Sequence, residues 1–278
     1  VELVNETAQF KPRYILNGFP KSGLHLASSF MGGVMNLAPD SEIWGKQGWT
    51  GTFKGRSWTN ERIRPEVTCY KLARMHDGEY MIGHIGHSPE VEQFLYYFGA
   101  AHVLIIRDFR DVAVSQAYHV TGGDKFAHPD KELYRSLEGF DKVLLAVIEG
   151  IGEYPGIFER WEQYAPWLDV EWSEVLTFEE MRYKPYQAAE KLVAFGYGRL
   201  GQVMNANIVA SKEGFQPFIE KMVESSQQRD TQTFRVGVSG SWKEAFTDEI
   251  TQAFKRADKN NWLVRLGYEK DQNWEAKR

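Results

Sequence analysis

"YILNGFPKSGLHLASSF", residues 14–30, is the stretch whose reading decides the fold. An apolar run ends in Gly-Phe-Pro-Lys-Ser-Gly. A helical pattern follows at once, with Leu24, Ala27, Phe30, Met31 and Val34 on one face. A strand, a tight turn and a helix N-terminus together make a phosphate-binding loop, because free backbone N–H groups and the helix dipole favour an anion there. Gly23 lets the backbone approach closely, Lys21 adds a charge, and Ser22 adds a hydroxyl. A strand–helix turn with an exposed lysine is the other reading of the same residues. The loop is not that of a P-loop kinase: Lys21 precedes the last glycine, and no Gly-x-x-x-x-Gly-Lys-Ser/Thr run is present.

Outward from this stretch, the chain alternates strands and helices. "VTCYKLA" and "EYMIGHI" read as strands, and "VEQFLYYFG" as a helix ending at Gly99. "AHVLIIRD" is the clearest buried strand, with the helical "RDVAVSQAYHV" directly after it. Long helical patterns follow over 133–151 and 155–164. "VEWSEVLTFEEM" contains a further strand, and "YQAAEKLVAFGYG" a helix ending at glycine. The alternation predicts an α/β fold: one P-loop-like domain over residues 1–278, with a central parallel sheet flanked by helices on both faces. No linker divides the chain. Two irregular segments, near 44–65 and 119–132, have the character of lids or substrate loops, or of surface decoration.

Bulk composition narrows the classes. The 278 residues are 42% hydrophobic and 26% charged, which suits a globular protein. With 33 Lys and Arg against 38 Asp and Glu, the net charge is −5, so no nucleic-acid partner is expected. The single cysteine, Cys69, makes no internal disulfide and reads as a small buried side chain in a reducing compartment. With no apolar run of membrane-spanning length and no signal-peptide pattern, a cytoplasmic location is expected. The chain starts at Val1, consistent with processing, trimming or excision from something longer.

Two more stretches carry chemistry. In "VLIIRDFRDVAVSQAYH", Arg107 ends an apolar strand and Ser115 lies about two helical turns on. Arginine suits bidentate phosphate binding. A salt bridge, Arg107–Asp111 or Asp108–Arg110, is the alternative. In "FRVGVSGSWKEAFTDE", Arg235, Gly237 and Gly240 form a loop able to fold over an anion, or an ordinary loop. Trp242 and Phe246 then open a helix as an i, i+4 pair.

Taken together and in this order, the three stretches resemble the PAPS-dependent sulfotransferases, from residue 14 to the "LGYE" at 266–269. That family carries a Pro-Lys-Ser-Gly loop, an Arg-x-x-x-Asp-x-x-x-Ser stretch and a late Arg-Lys-Gly-x-x-Gly-x-Trp-Lys loop. The resemblance implies transfer of a sulfuryl group from 3′-phosphoadenosine 5′-phosphosulfate (PAPS) to an acceptor hydroxyl, releasing 3′-phosphoadenosine 5′-phosphate (PAP), with no metal. It implies that Lys21, Ser22, Gly23, Leu24 and His25 hold the 5′-phosphosulfate. Arg107, Ser115, Arg235 and Gly237 would hold the 3′-phosphate, and Phe178 the adenine. Lys21 would also act in catalysis. The base would be His84, of the two histidines in "MIGHIGHSPEVEQFL", with His87 a substrate or supporting contact. Departures are Val236 and Ile82 where the family has lysine, Leu26 where it has tryptophan, and His25 where it has threonine. His76, His102, His119 and His128 show no constellation, and no metal-ligand spacing is present.

For the acceptor, "PKSGLHL" is similar to the loop of sulfotransferase domains in bacterial modular polyketide synthases. Those act on the β-hydroxyl of a chain carried by an acyl carrier protein. A free small-molecule alcohol or phenol is the rival acceptor. A nucleotide-binding module without catalysis is the rival of another class.

Overall fold

A computed structural model describes residues 11–37, 65–122, 131–152, 154–205, 212–227 and 237–276. The apolar run that opened the reading forms β1 (Tyr14–Gly18), buried along its whole length. It lies at the centre of a five-stranded sheet with β2 (Asn36–Leu37), β3 (Glu79–Gly83), β4 (Ala101–Ile106) and β5 (Glu174–Thr177). The order is β2-β3-β1-β4-β5, and every pairing is parallel. The expected parallel α/β sheet is therefore present.

Side chains alternate across the sheet. Ile15, Met81, Leu104 and Ile106 face one core, and Tyr14, Leu16, Tyr80, Val103 and Ile105 face another. The second core is covered by α1 (Leu24–Gly32), and further along the chain by α7 (Pro185–Met204) and α8 (Lys212–Gln227). The first is covered by α2 (Pro65–Leu72), α3 (Pro89–Phe98), α4 (Phe109–Thr121), α5 (Phe140–Glu149) and α9 (Asp248–Ala257). Between them in sequence, the short α6 (Phe178–Tyr183) follows β5. It starts with a capping box in which Thr177 and Glu180 satisfy each other's backbone N–H. No helix among the described residues is long and apolar enough to cross a membrane.

Four local expectations are corrected. "VTCYKLA" is not a strand but part of α2. Thr68 and Leu72, four residues apart, are buried, and Val67 and Tyr70 are exposed. The period is helical, and Glu66 and Lys71 sit at the ends the helix dipole favours. The helix after the phosphate loop stops at Gly32, so Val34 lies beyond it and 36–37 become an edge strand. The pattern over 133–151 is broken. Lys131–Arg135 is a separate helix, Gly139 precedes α5, and Gly150–Ile151 pairs antiparallel with Tyr154–Pro155. Finally, α7 passes through Gly196, Gly198 and Gly201 and ends only at Met204.

Packing explains the last case. A Cβ on Gly196 would lie 1.8 Å from the Tyr14 hydroxyl, which donates a 2.8 Å hydrogen bond to the Leu192 carbonyl. The glycine lets α7 press onto β1. Of the two irregular segments, 44–64 lies outside the described residues. The ends of 119–132 are helical, in α4 and in Lys131–Arg135.

Gly196→Ala is expected to cost at least about 2 kcal/mol in urea unfolding, through overpacking and loss of the Tyr14 hydrogen bond. Gly198→Ala, where an added Cβ meets nothing within 4 Å, is the control and is expected to be neutral or stabilising.

Candidate active site at the carboxyl edge of the sheet

Ligands of open parallel sheets sit beyond the strands' carboxyl ends. The sequence-predicted residues converge there. Gly18 ends β1, His84 follows β3, Arg107 follows β4 and Phe178 follows β5.

The 19–23 turn is wound tightly. Lys21 adopts a left-handed backbone (φ 70°), costly for a residue with a side chain, and Gly23 (φ 110°) forms the N-cap of α1 without a side-chain cap. The first turn of α1 carries no acidic residue, so no carboxylate of its own meets the helix dipole. A Cβ on Gly18 would lie 2.6 Å from Ser22 Oγ and 2.9 Å from the Ile105 carbonyl, so only glycine lets the turn close onto β4. Ser22 is 1% exposed, and its Oγ has no hydrogen-bond partner among the described residues. A buried hydroxyl so placed is a donor awaiting an acceptor. Leu24, next in line, buries its side chain in the core.

Arg107 presents a second such group. Its Nη2 donates to the Val238 carbonyl at 2.9 Å, while its buried Nε has no partner among the described residues. The guanidinium lies 4.1 Å above the Phe178 ring. Phe178 is 5% exposed and also abuts Gly23, whose Cβ would sit 2.8 Å from its ring. The expected adenine contact is thus an aromatic wedge between loop and arginine.

Of the two expected strand-end salt bridges, Asp108–Arg110 forms and Arg107–Asp111 does not. Asp108 pairs with Arg110 at 2.7 Å, and Arg110 also meets Glu269. Asp111 instead accepts from Gly240 N (2.6 Å), Ser241 Oγ (2.9 Å) and Trp242 N (3.1 Å), clamping the late loop onto α4. Ser239 ties that loop to Tyr183 and Glu179. Gly237 (φ 59°) begins the described part of this loop, and Arg235 and Val236 lie outside it. Ser115 is four residues beyond Asp111 on α4, on the face that meets this loop.

His84 closes the site from the β3 side. Its Nδ1 lies 2.6 Å from the Gly18 carbonyl, which only accepts, so Nδ1 carries the proton and Nε2 the lone pair. Burial lowers its pKa to about 3 despite this hydrogen bond, with His25 and Lys21 adding to the effect. The ring is therefore neutral over the physiological range. Lys21 is lowered to about 8 by burial and by Arg107. His25 opens onto solvent, yet the surrounding cleft walls and Lys21 lower its pKa. His119, which showed no constellation in sequence, is lowered to about 4 by burial, Lys21 and His25. Its place two turns beyond Asp111 on α4 brings it there, a fact about packing that spacing alone does not reveal.

His87 stands apart from this group. Its Nε2 meets Glu92 at 2.6 Å, and its ring contacts Trp167 edge-on. Asn17 went unnoticed in the sequence, and His102 showed no constellation there. Asn17 is fully buried and bonds both backbone groups of Ile85, and His102 lies behind it. Among the described residues, no group of three His, Cys, Asp or Glu is placed to hold a metal ion.

A family model described as "Sulfotransferase domain" matches residues 100–263, more than half of the chain. The chain belongs to the sulfotransferase domain family. Among solved structures, it is similar to mouse sulfotransferase SULT7A1 complexed with PAP, at 17% identity and TM-score 0.57, over 92% of this chain and 87% of that one. It is also similar to retinol dehydratase in complex with androsterone and the inactive cofactor PAP (14% identity, TM-score 0.51, 95% of this chain and 82% of that one). A third structure, retinol dehydratase with retinol and PAP, matches at 14% identity and TM-score 0.51, over 95% and 83%. At these identities the likeness is one of fold. No curated protein sequence matches the chain.

The buried neutral histidines predict a stability that falls in acid. His102, fully buried, has its pKa lowered to about 3 by burial and by His87. Between the ordinary histidine value of about 6.5 and that value, the unfolded chain binds the extra proton, so stability falls with falling pH, by up to ~1.4 kcal/mol per unit for such a group. Urea unfolding at stepwise lower pH is expected to show this slope, and His102→Gln to reduce it.

Proposed function

We propose that this sulfotransferase takes its sulfuryl group from PAPS, in the cleft between the 19–23 loop and the 237–242 loop, and delivers it to an acceptor hydroxyl. One observation carries the reading. Burial first, and then the charges of Lys21 and Arg107 and the neighbouring His25, lower the basicity of Lys21, His25, His84 and His119, so the cleft gathers basic groups with Lys21 and Arg107 as its cations. Two of its buried donors, Ser22 Oγ and Arg107 Nε, lack partners among the described residues. Basic groups that depress one another's protonation are stabilised by an incoming anion. A nucleotide with phosphates at both ends supplies one anion for the 19–23 loop and another for Arg107, with Ser115 and the loop that Asp111 clamps alongside. Arg235 belongs to this second group by its place in the sequence.

The donor supplies an activated sulfuryl group on a phosphate leaving group. The chain supplies position and charge. His84 Nε2 takes the proton of the acceptor hydroxyl as its oxygen bonds to sulfur. The sulfur–oxygen bond to the phosphate breaks, and the negative charge left there meets Lys21 and the first-turn N–H groups of α1. Offsetting the charge of Lys21 removes one of the influences that lower the basicity of His84.

For the acceptor, the Leu24-His25 form of the loop supports the β-hydroxyl of a chain on an acyl carrier protein. The complexes of retinol dehydratase with retinol and androsterone favour a second reading, a free lipophilic alcohol. A screen with labelled donor against carrier-bound 3-hydroxyacyl chains and free alcohols separates the two. Labelling confined to free alcohols overturns the carrier reading.

Two results test the catalytic assignment. His84→Ala is expected to lower transfer by about 10³-fold, within the range for a lost general base, while PAP affinity holds. Surviving turnover removes His84 as the base. PAP affinity is expected to fall as pH rises through about 8, because Lys21 is then neutral in the free protein and must take up a proton to bind. Lys21→Met is expected to bind more weakly and to lose that pH dependence in calorimetry.

A further inference from the structure

We propose that Asn17, His102 and Ser173 form a buried positioning relay for His84, fixing where its imidazole sits. This rests on the reading of His84 as the base and adds three residues to it. Asn17 Oδ1 accepts from Ile85 N at 2.7 Å, and its Nδ2 donates to the Ile85 carbonyl at 2.9 Å. One side chain thus grips both backbone groups of the residue directly after His84. The next residue, Gly18, supplies the carbonyl that receives His84 Nδ1–H. The dipeptide 17–18 therefore sets both the backbone behind the imidazole and its tautomer.

Asn17 can hold this orientation only if its second amide hydrogen is satisfied. His102 Nε2 lies 3.2 Å away and must be the acceptor. Its Nδ1 then carries the proton and donates to Ser173 Oγ at 2.7 Å, leaving that hydroxyl to point at the His102 carbonyl. Trp167 completes the enclosure: its ring lies 4.1 Å from the His102 ring, and its Nε1 donates to the same Ile85 carbonyl at 3.0 Å. His102 also meets the Trp172 ring, and His87 lies on the far side of Trp167. Asn17 and His102 are both 0% exposed. A proton on His102 Nε2 would point at the Asn17 amide and break the chain of bonds. The relay works only with a neutral His102 in one tautomer, and burial keeps it neutral.

The test uses the full chain labelled with ¹⁵N-histidine, followed by ring-nitrogen NMR from neutral pH to about pH 5, where an ordinary histidine would become charged. The parent is expected to show His84 and His102 both protonated on Nδ1 alone. In Asn17→Asp the carboxylate cannot donate, so His102 is expected to gain its Nε2 proton and His84 to lose its single tautomer. His102→Gln, which keeps a neutral acceptor for Asn17, is expected to leave the His84 signals as in the parent, whereas His102→Leu is expected to disturb them. The two His102 variants carry the test if Asn17→Asp does not fold. With an acceptor from the screen, His102→Leu is expected to lose about tenfold or more in kcat with PAP affinity unchanged, the effect of one unsatisfied buried donor. A parent His102 protonated on Nε2, or unaltered His84 signals in both Asn17→Asp and His102→Leu, overturns the relay. An active His84→Ala enzyme would overturn the base assignment instead, and the NMR result is independent of that outcome.

Discussion

The hydrogen bond from His84 Nδ1 to the Gly18 carbonyl joins the two halves of the site. Gly18 is the last residue of the central strand and directly precedes the turn that holds Lys21 and Ser22. The same backbone atom therefore sets where the phosphate loop begins and which nitrogen of the imidazole keeps its lone pair. No side chain is tolerated there, because a Cβ would strike Ser22 Oγ and the Ile105 carbonyl. The tight β1–β4 approach, the strained backbone at Lys21 and the orientation of His84 depend on one another.

Charge follows the same geometry. Parallel strands deliver Gly18, His84, Arg107 and Phe178 to one edge of the sheet, and the 19–23 turn, α1 and α4 bring in Lys21, His25 and His119. Burial and mutual repulsion hold several of these groups below their ordinary pKa values. The fold thus keeps a cleft of suppressed cations, a state that an anion with several charges relieves. The acidic groups nearby are occupied elsewhere: Asp108 with Arg110, Asp111 with the 240–242 backbone, and Glu179 with Ser239 and Tyr268.

Much of this was legible in the sequence, for physical reasons. Strongly apolar strands such as 101–106 and a glycine-bearing turn before a helix depend on local chemistry, so β4, β1 and the strand–turn–helix form of the 14–32 stretch read correctly. The family resemblance pointed to His84, and the Gly18 contact gives that choice a tautomer. "VTCYKLA" misled because the strand-favouring Val67, Thr68 and Tyr70 sit in a helix whose fate is decided by what Thr68 and Leu72 pack against. The glycines of α7 misled because Gly196 answers to Tyr14, far away in sequence. Asn17, His102 and His119 were invisible for the same reason: a polar residue inside a strand or helix acquires meaning only from its spatial neighbours. Phe178 was named from the resemblance, but its place beneath Arg107 depends on strand order, which spacing does not encode.

Calorimetry with adenosine 3′,5′-bisphosphate and with ATP tests the central claim most directly, namely that the carboxyl edge of this sheet is built for phosphates at both ends of one nucleoside. The bisphosphate is expected to bind at least about tenfold more tightly than ATP, a difference of ~1.4 kcal/mol or more, because only it places one anion at the 19–23 loop and another at Arg107. Equal or tighter binding of ATP would contradict the account.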